Sequence, residues 1–292
     1  MSWRTVVITR SAKLDYQMGY LVVRGAEAQK VHIKEIRMLM VESTAVSITA
    51  YLLHELARHK VKVVFCDEKR NPSSELLPYY GSHDTSIKIR SQIDWADEVK
   101  ALVWTEIVSE KIRQQACTLR IFGKNEAGML ESYRDEVEVG DVTNREGHAA
   151  KVYFNALFGK KFSRKDDNSI NAALNYGYSL LLSSFNREIV ANGYITQIGL
   201  SHSNRFNPFN FASDLMEPFR PLVDTLVCEM QPEVFEKEEK HEVIRLLETE
   251  VVINGRKEYL PNAIRIYAKS IFEVLDNKGE GRIRFFKRDI EE

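Results

Sequence analysis

At 292 residues the chain is long enough for one large domain or two ordinary ones, and it can bury a sizeable core. Hydrophobic residues make up 44% and charged residues 28% of it, the formal net charge is −1, and no run approaches about 18 consecutive apolar positions. These totals exclude a membrane-spanning helix and a low-complexity chain, and they leave any nucleic-acid binding to local basic patches rather than to overall charge. Cys66, Cys117 and Cys228 are odd in number and far apart, which fits neither a disulfide framework nor a zinc knuckle, and the opening MSWRTVVITR has too short an apolar run for a signal peptide. The expected setting is a reducing cytoplasm, with no membrane partner.

The first stretch reads mainly as short strands. Val6-Val7-Ile8 is an apolar run, and period-two alternation follows at Leu14–Met18, Leu21–Val23, Val31–Ile33 and Ile36–Met40. Such strands predict a small sheet with one wet face. Ser43 is expected to cap a helix through about Lys60, with Val46, Leu52, Leu53 and Leu56 inward, before Val61–Phe65 returns to strand. Asp67–Tyr80, with its prolines, serines and charges, is expected to be a connection.

From Ser86 the period turns helical. Ile87 to about Ile121 predicts one long amphipathic helix or two, ended by Gly123; residues 126–138 predict a short one, and Thr143 is expected to cap another that closes at Gly159. The basic loop GKKFSRKDD follows, then a long helix from Ser169 to Asn192 in which Gly177 implies a close helix contact. Helices are expected over 232–248 and from about Pro261, and Gly279–Arg288 reads as a turn and strand carrying Arg282, Arg284, Lys287 and Arg288. The fold class expected is α+β: a small N-terminal β-rich domain (1–80) followed by a larger all-helical C-terminal domain (81–292).

One stretch concentrates the chemistry. In SHSNRFNPFNFASDLMEPFR, beginning at Ser201, His202 precedes Glu217 by fifteen residues, and Asp214 lies three before Glu217, on the same face if helical. An Asn- and Pro-containing turn between them can return the imidazole towards the carboxylates, and two carboxylates with a histidine suit magnesium or manganese. Plainer readings exist: Asp214 as a carboxylate favoured by a helix dipole, Glu146 as the N3 partner of the Thr143 cap, and any single histidine as a satisfied core or surface group. Pro218 weighs against the plain reading, because its ring and missing N–H should break or restart the helix at Glu217. His83-Asp84 offers a rival, an HD-type phosphohydrolase, but it sits in a Gly-Ser loop ahead of the helices. Lys160, Lys161, Arg164, Lys165, Arg205 and Arg220 lie on both sides of the candidate site residues in sequence and are expected to form a phosphate-binding rim.

Three motifs together, ALNYGYSLL, GLSHSNRFNPFNFASDLMEPFRPLVD and REGHAAKVYF, closely resemble those of CRISPR-associated protein one, the CRISPR adaptation integrase, in a form similar to type II systems. The resemblance runs over essentially the whole chain. It implies a metal-dependent DNA endonuclease and integrase that inserts new spacers into a CRISPR array by transesterification, with Mg2+ or Mn2+ as cofactor. It also implies Glu146, His202 and Glu217 as metal ligands and catalytic residues, Asp214 as a supporting acid, and Lys160, Lys161, Arg164, Arg205 and Arg220 as DNA contacts. Glu217 stands where the family often has Asp, one methylene longer with the same ligand type. The partners implied are prespacer and repeat DNA, a second copy of the chain, CRISPR-associated protein two and other type II adaptation proteins; the N-terminal domain is expected to carry the dimer and partner contacts. The competing reading is a non-catalytic helical scaffold that binds DNA through its basic loops.

Overall fold

Alternating apolar and polar residues in the N-terminal unit build two sheets, where the sequence suggests one. The computed structural model describes residues 4–76 and 82–288. Its strands there are β1 (Arg4–Ile8), β2 (Ala12–Gln17), β3 (Tyr20–Arg24), β4 (Ala28–His32), β5 (Ile36–Val41), β6 (Val46–Ile48), β7 (Lys62–Cys66) and β8 (Pro72–Leu76), with one helix, α1 (Ala50–Arg58). They pair in the orders β1-β5-β7-β8 and β4-β3-β2-β6. Leu14, Leu21, Ile36, Leu39, Leu52, Leu56 and Val63 close the core.

Two local expectations are corrected. The helix does not begin at Ser43: Val46-Ser47-Ile48, β-branched at both ends, pairs in parallel with β2, and Thr49 caps α1 by accepting the Leu52 N–H at 3.3 Å. Asp67–Tyr80 is not wholly a connection, because Pro72–Leu76 pairs antiparallel with β7 as an edge strand, where a proline is tolerated. Residues 77–80 lie outside the described residues.

The chain divides into Met1–His83 with Val190–Asn192, and Asp84–Ile189 with Gly193–Glu292. In the larger unit the expected helical run becomes α2 (Thr85–Asp94) and α3 (Asp97–Ile121), separated at Trp95-Ala96. Gly123, at φ 63°, ends α3: its N–H bonds the Arg120 carbonyl while the Lys124 N–H reaches Leu119, the Schellman arrangement. There follow α4 (Ala127–Asp135), α5 (Arg145–Phe158), α6 (Ser169–Ala191), α7 (Asn210–Leu215), α8 (Arg220–Met230), α9 (Lys237–Ile244) and, after a hairpin, α10 (Leu260–Asp276) with Pro261 in its first turn. Helix α3 is the axis of this unit. Side chains all round it are buried, from Val103 to Leu119, and it packs against α4, α5, α8 and α10.

This unit is not all-helical. Strands β9 (Glu250–Ile253) and β10 (Arg256–Tyr259) form an antiparallel hairpin about Asn254-Gly255, both at positive φ. Asn-Gly is the favoured pair for such a two-residue turn, and Val251 and Ile253 supply the inward face. The tail expected as a strand makes a single bridge, Lys287 to Val252. Its Arg288 is buried rather than a surface cation, and donates to Gln114 Oε1, Thr118 Oγ1 and Thr225 Oγ1, each at 3.0 Å.

The close contact implied by Gly177 is with α8. A Cβ there would lie 2.4 Å from Val223 Cγ1, and valine is stiff at χ1. Gly177→Ala should therefore cost about 1–3 kcal/mol by urea unfolding, and Val223→Ala in the same chain should return part of the loss.

Candidate metal centre

Glu146 is aimed by the start of α5. The cap is Asn144 rather than Thr143: Asn144 is left-handed (φ 54°), its Oδ1 accepts the Gly147 N–H at 3.2 Å, and Thr143 Oγ1 is buried without a partner. Asp141 accepts the N–H groups of Arg145 and Glu146 at 2.7 and 3.1 Å. Asn144 and Asp141 thus satisfy the free donors of the first turn. Glu146 falls at the second helical position, so the capping-box explanation for it lapses. Its Oε1 accepts from Lys111 Nζ at 2.5 Å.

His202 is fixed by a loop rather than a helix. Gln92 of α2, 1% exposed, donates to the carbonyls of Ile195 and Ile198 and accepts the Ile195 N–H, which pins the start of that loop. Asp214 of α7, fully buried, pins its end. Asp214 Oδ2 accepts from Leu200 N (2.5 Å) and Ser201 N (3.2 Å), and Oδ1 from His202 N (3.1 Å); Oδ1 also lies 2.5 Å from His202 Nδ1. Gly199 is required beside it, since a Cβ there would stand 2.5 Å from Asp214 Oδ2. With Nδ1 held by a carboxylate, Nε2 is the nitrogen left for a ligand, and Trp104 of α3 meets the ring edge-on at 5.8 Å. The hydrogen bond that His202 donates to Asp214 raises its pKa against the opposing effect of burial, and the charges of Asp214, Glu217 and Glu146 raise it further. Both glutamates therefore lie within electrostatic reach of the imidazole.

Glu217 sits where the sequence breaks the helix. Between α7 and α8 a 3-10 turn, Glu217–Phe219, holds Pro218, and Glu217 is 2% exposed. Arg220 Nη2 is 3.0 Å from Glu217 Oε1, and Lys111 Nζ is 2.5 Å from Oε2. Burial pushes the Glu217 carboxyl up, but Arg220 and then Lys111 outweigh it and hold it below the usual range. For Lys111, burial acts to lower the pKa, and Glu217 and Glu146 more than offset that.

Two carboxylates and an imidazole with its far nitrogen anchored are a donor set that fits a hard divalent cation. Glu217 adds to the fit: it is buried and held as a carboxylate by Lys111 and Arg220. As the side chains stand, no group of three or more His, Cys, Asp or Glu among the described residues is arranged to hold an ion. Lys111 Nζ lies between the two glutamates.

The basic residues divide. Lys160, Lys161 and Arg205 are exposed. Arg164 is held in place: it donates to Asn171 Oδ1 and, at 2.6 Å, to Asn175 Oδ1, and it stacks over Tyr178 at 5.4 Å. Arg220 lies 4.9 Å over the same ring and is engaged with Glu217 rather than standing on an open rim. Asp84 of the rival motif is the N-cap residue of α2.

Beneath Tyr178 lies Asp224, which accepts from Tyr178 (2.5 Å) and Tyr153 (3.0 Å). Burial raises its pKa from 3.8 to about 6. Because the folded value is the higher one, protonated Asp224 stabilises the fold at pH below 4, and that contribution, about 3 kcal/mol, is lost as pH rises to about 6. Asp224→Asn should flatten this part of the stability–pH curve, as measured by urea midpoints from pH 4 to 7.

Sequence reading missed Lys111, Trp104, Gln92 and Asp224. Lys111 carries a usable signal: it lies seven residues after Trp104 and four after Ile107, so a lysine interrupts the buried stripe of α3.

Comparison with known proteins gives a consistent answer. Residues 5–248 match the family model described as CRISPR associated protein Cas1. A CRISPR-associated endonuclease Cas1 of Neisseria meningitidis serogroup C (strain 8013) is 37% identical over 232 residues, covering 79% of this chain and 76% of the relative. Among solved structures, a casposase bound to integration product superposes with a TM-score of 0.78 at 18% identity, over 96% of this chain and 92% of that one. A Cas6-RT-Cas1–Cas2 complex gives 0.71 at 17% identity, over 94% of this chain and 35% of the longer one. At these identities the structural likeness carries the fold.

Proposed function

The chain belongs to the CRISPR-associated Cas1 family, and from that premise we propose that it is a divalent-metal-dependent DNA endonuclease and integrase that inserts spacers into a CRISPR array. One observation carries the reading: Glu146 from a helix start and Glu217 from a 3-10 turn converge on the Lys111 ammonium, and the charges of both raise the pKa of His202 on its pinned loop. These three residues are the ligands for Mg2+ or Mn2+. A cation held there supplies Lewis-acid neutralisation of charge on the scissile phosphate.

The protein's own groups do the rest. Asp214 keeps His202 oriented with Nε2 presented, and serves as the supporting acid without being a ligand, since both its oxygens are engaged. Arg164, on Tyr178, and the exposed Lys160, Lys161 and Arg205 hold DNA phosphates without reading bases, while Arg220 stays paired with Glu217. The reaction is transesterification, in which a 3′-hydroxyl of incoming DNA attacks the phosphate at the repeat boundary and displaces the 3′-oxygen of the flanking nucleotide, so one phosphodiester replaces another and no nucleotide cofactor is consumed. The N-terminal unit carries dimer and partner contacts, and the partners are a second copy, CRISPR-associated protein two and other type II adaptation proteins.

The test is strand transfer of a short duplex into a repeat-containing plasmid, with the small partner protein present. Product that appears with Mn2+ and vanishes with EDTA supports the reading. DNA binding without any product, unaffected by EDTA and lost only on charge reversal at Lys160, Lys161 and Arg164, would favour the scaffold.

A further inference from the structure

A lysine buried among the packed residues of α3 needs a paired anion, and Lys111 has two. It is 8% exposed, and its Nζ stands 2.5 Å from Glu146 Oε1 and 2.5 Å from Glu217 Oε2, the carboxylates assigned above to the metal. Arg220 takes the other oxygen of Glu217. Two anions and two cations therefore balance locally. A divalent ion entering between the glutamates would meet Lys111 as a like charge in a poorly hydrated place, where repulsion is strong.

We propose that Lys111 is a built-in counter-cation that holds Glu146 and Glu217 together in the metal-free protein and must leave the space between them for a divalent ion to enter. The inference rests on the proposed metal site. Side-chain chemistry suits the role: the lysine ammonium is a compact point charge on a flexible four-carbon stem, able to swing away, whereas the Arg220 guanidinium is stacked on Tyr178 at 4.9 Å. The ligand carboxylates are thus kept close without metal, and the affinity for metal is set by competition with an internal cation.

The sign of one measurement separates this role from a purely structural one. If Lys111 only shapes the site, removing it misplaces the ligands and weakens metal binding. If it competes, removing its charge tightens binding. Lys111→Met and Lys111→Gln should bind Mn2+ about tenfold or more tighter than wild type by calorimetry or electron paramagnetic resonance. They should also melt at lower temperature in EDTA and gain more on Mn2+ addition. Lys111→Arg, which keeps the charge, should bind Mn2+ no more tightly than wild type. Equal or weaker Mn2+ binding in the neutral variants would overturn the proposal, as would their failure to fold at saturating Mn2+, since metal should replace the missing charge. Wild-type protein whose Mn2+ binding is absent, or is unchanged in Glu217→Gln, would overturn this proposal and the metal site together. Glu217-dependent binding that Lys111→Gln leaves unaltered would overturn the counter-cation alone.

Discussion

Glu217→Gln should lower Mn2+-dependent strand transfer by roughly a thousandfold or more, the loss expected when several kcal/mol of charge stabilisation leaves the transition state. The substitution is chosen for shape. Gln fills the volume of a side chain that is 2% exposed in a turn fixed by Pro218, so it opens no cavity. What it removes is the negative charge. Lys111 and Arg220 then share one fewer anion, so the variant should fold but melt lower than wild type. Glu146→Gln and His202→Ala should show the same collapse of activity, each with its circular dichroism spectrum intact. Full strand transfer in any two of the three would dismantle the assigned site.

Asp214→Ala should be the most damaging single change to the site's architecture. Asp214 is fully buried and accepts three backbone N–H groups, from Leu200, Ser201 and His202, besides facing His202 Nδ1. Removing it strands these donors, at a cost of about 3 kcal/mol or more in unfolding free energy. It also frees the imidazole to rotate or change tautomer, which should lower metal affinity by about 10–100-fold. Asp214→Asn separates the two effects in part: its amide oxygen can keep the Leu200 and Ser201 N–H bonds while its NH2 faces the His202 donors, so only part of the stability should return, and the hydrogen bond and charge that raise the His202 pKa are gone. A pH titration of His202 by NMR in EDTA should then show its midpoint lower than in wild type.

Much of this was legible in the sequence where a local rule acts alone. Gly123 closes α3, Gly177 marks a tight helix crossing, and Pro218 breaks the helix beside Glu217, because backbone sterics decide each within a few residues. The residues proposed as ligands came from the family resemblance; spacing alone left Asp214 and Glu217 an equal pair. Their different environments arise from tertiary contacts, since only folding shows that the oxygens of Asp214 are occupied by the His202 loop. Where two local rules competed, the sequence reading erred. Ser43 and Thr49 could both cap a helix, and the outcome was decided by the pairing of Val46–Ile48 with β2. Thr143 and Asn144 could both cap α5, and the left-handed conformation open to Asn decided that. The β9–β10 hairpin was readable from Asn254-Gly255, but the surrounding helical periodicity masked it. Lys111 depends on partners 35 and 106 residues away, which no local pattern links.

The central claim is that Glu146, His202 and Glu217 hold one divalent cation, and a crystal soaked in Mn2+ and measured at the manganese absorption edge addresses it directly. The expected map has an anomalous peak touched by these three side chains, with Lys111 Nζ drawn out from between the glutamates. Manganese bound elsewhere, with Lys111 still bridging Glu146 and Glu217, would contradict it.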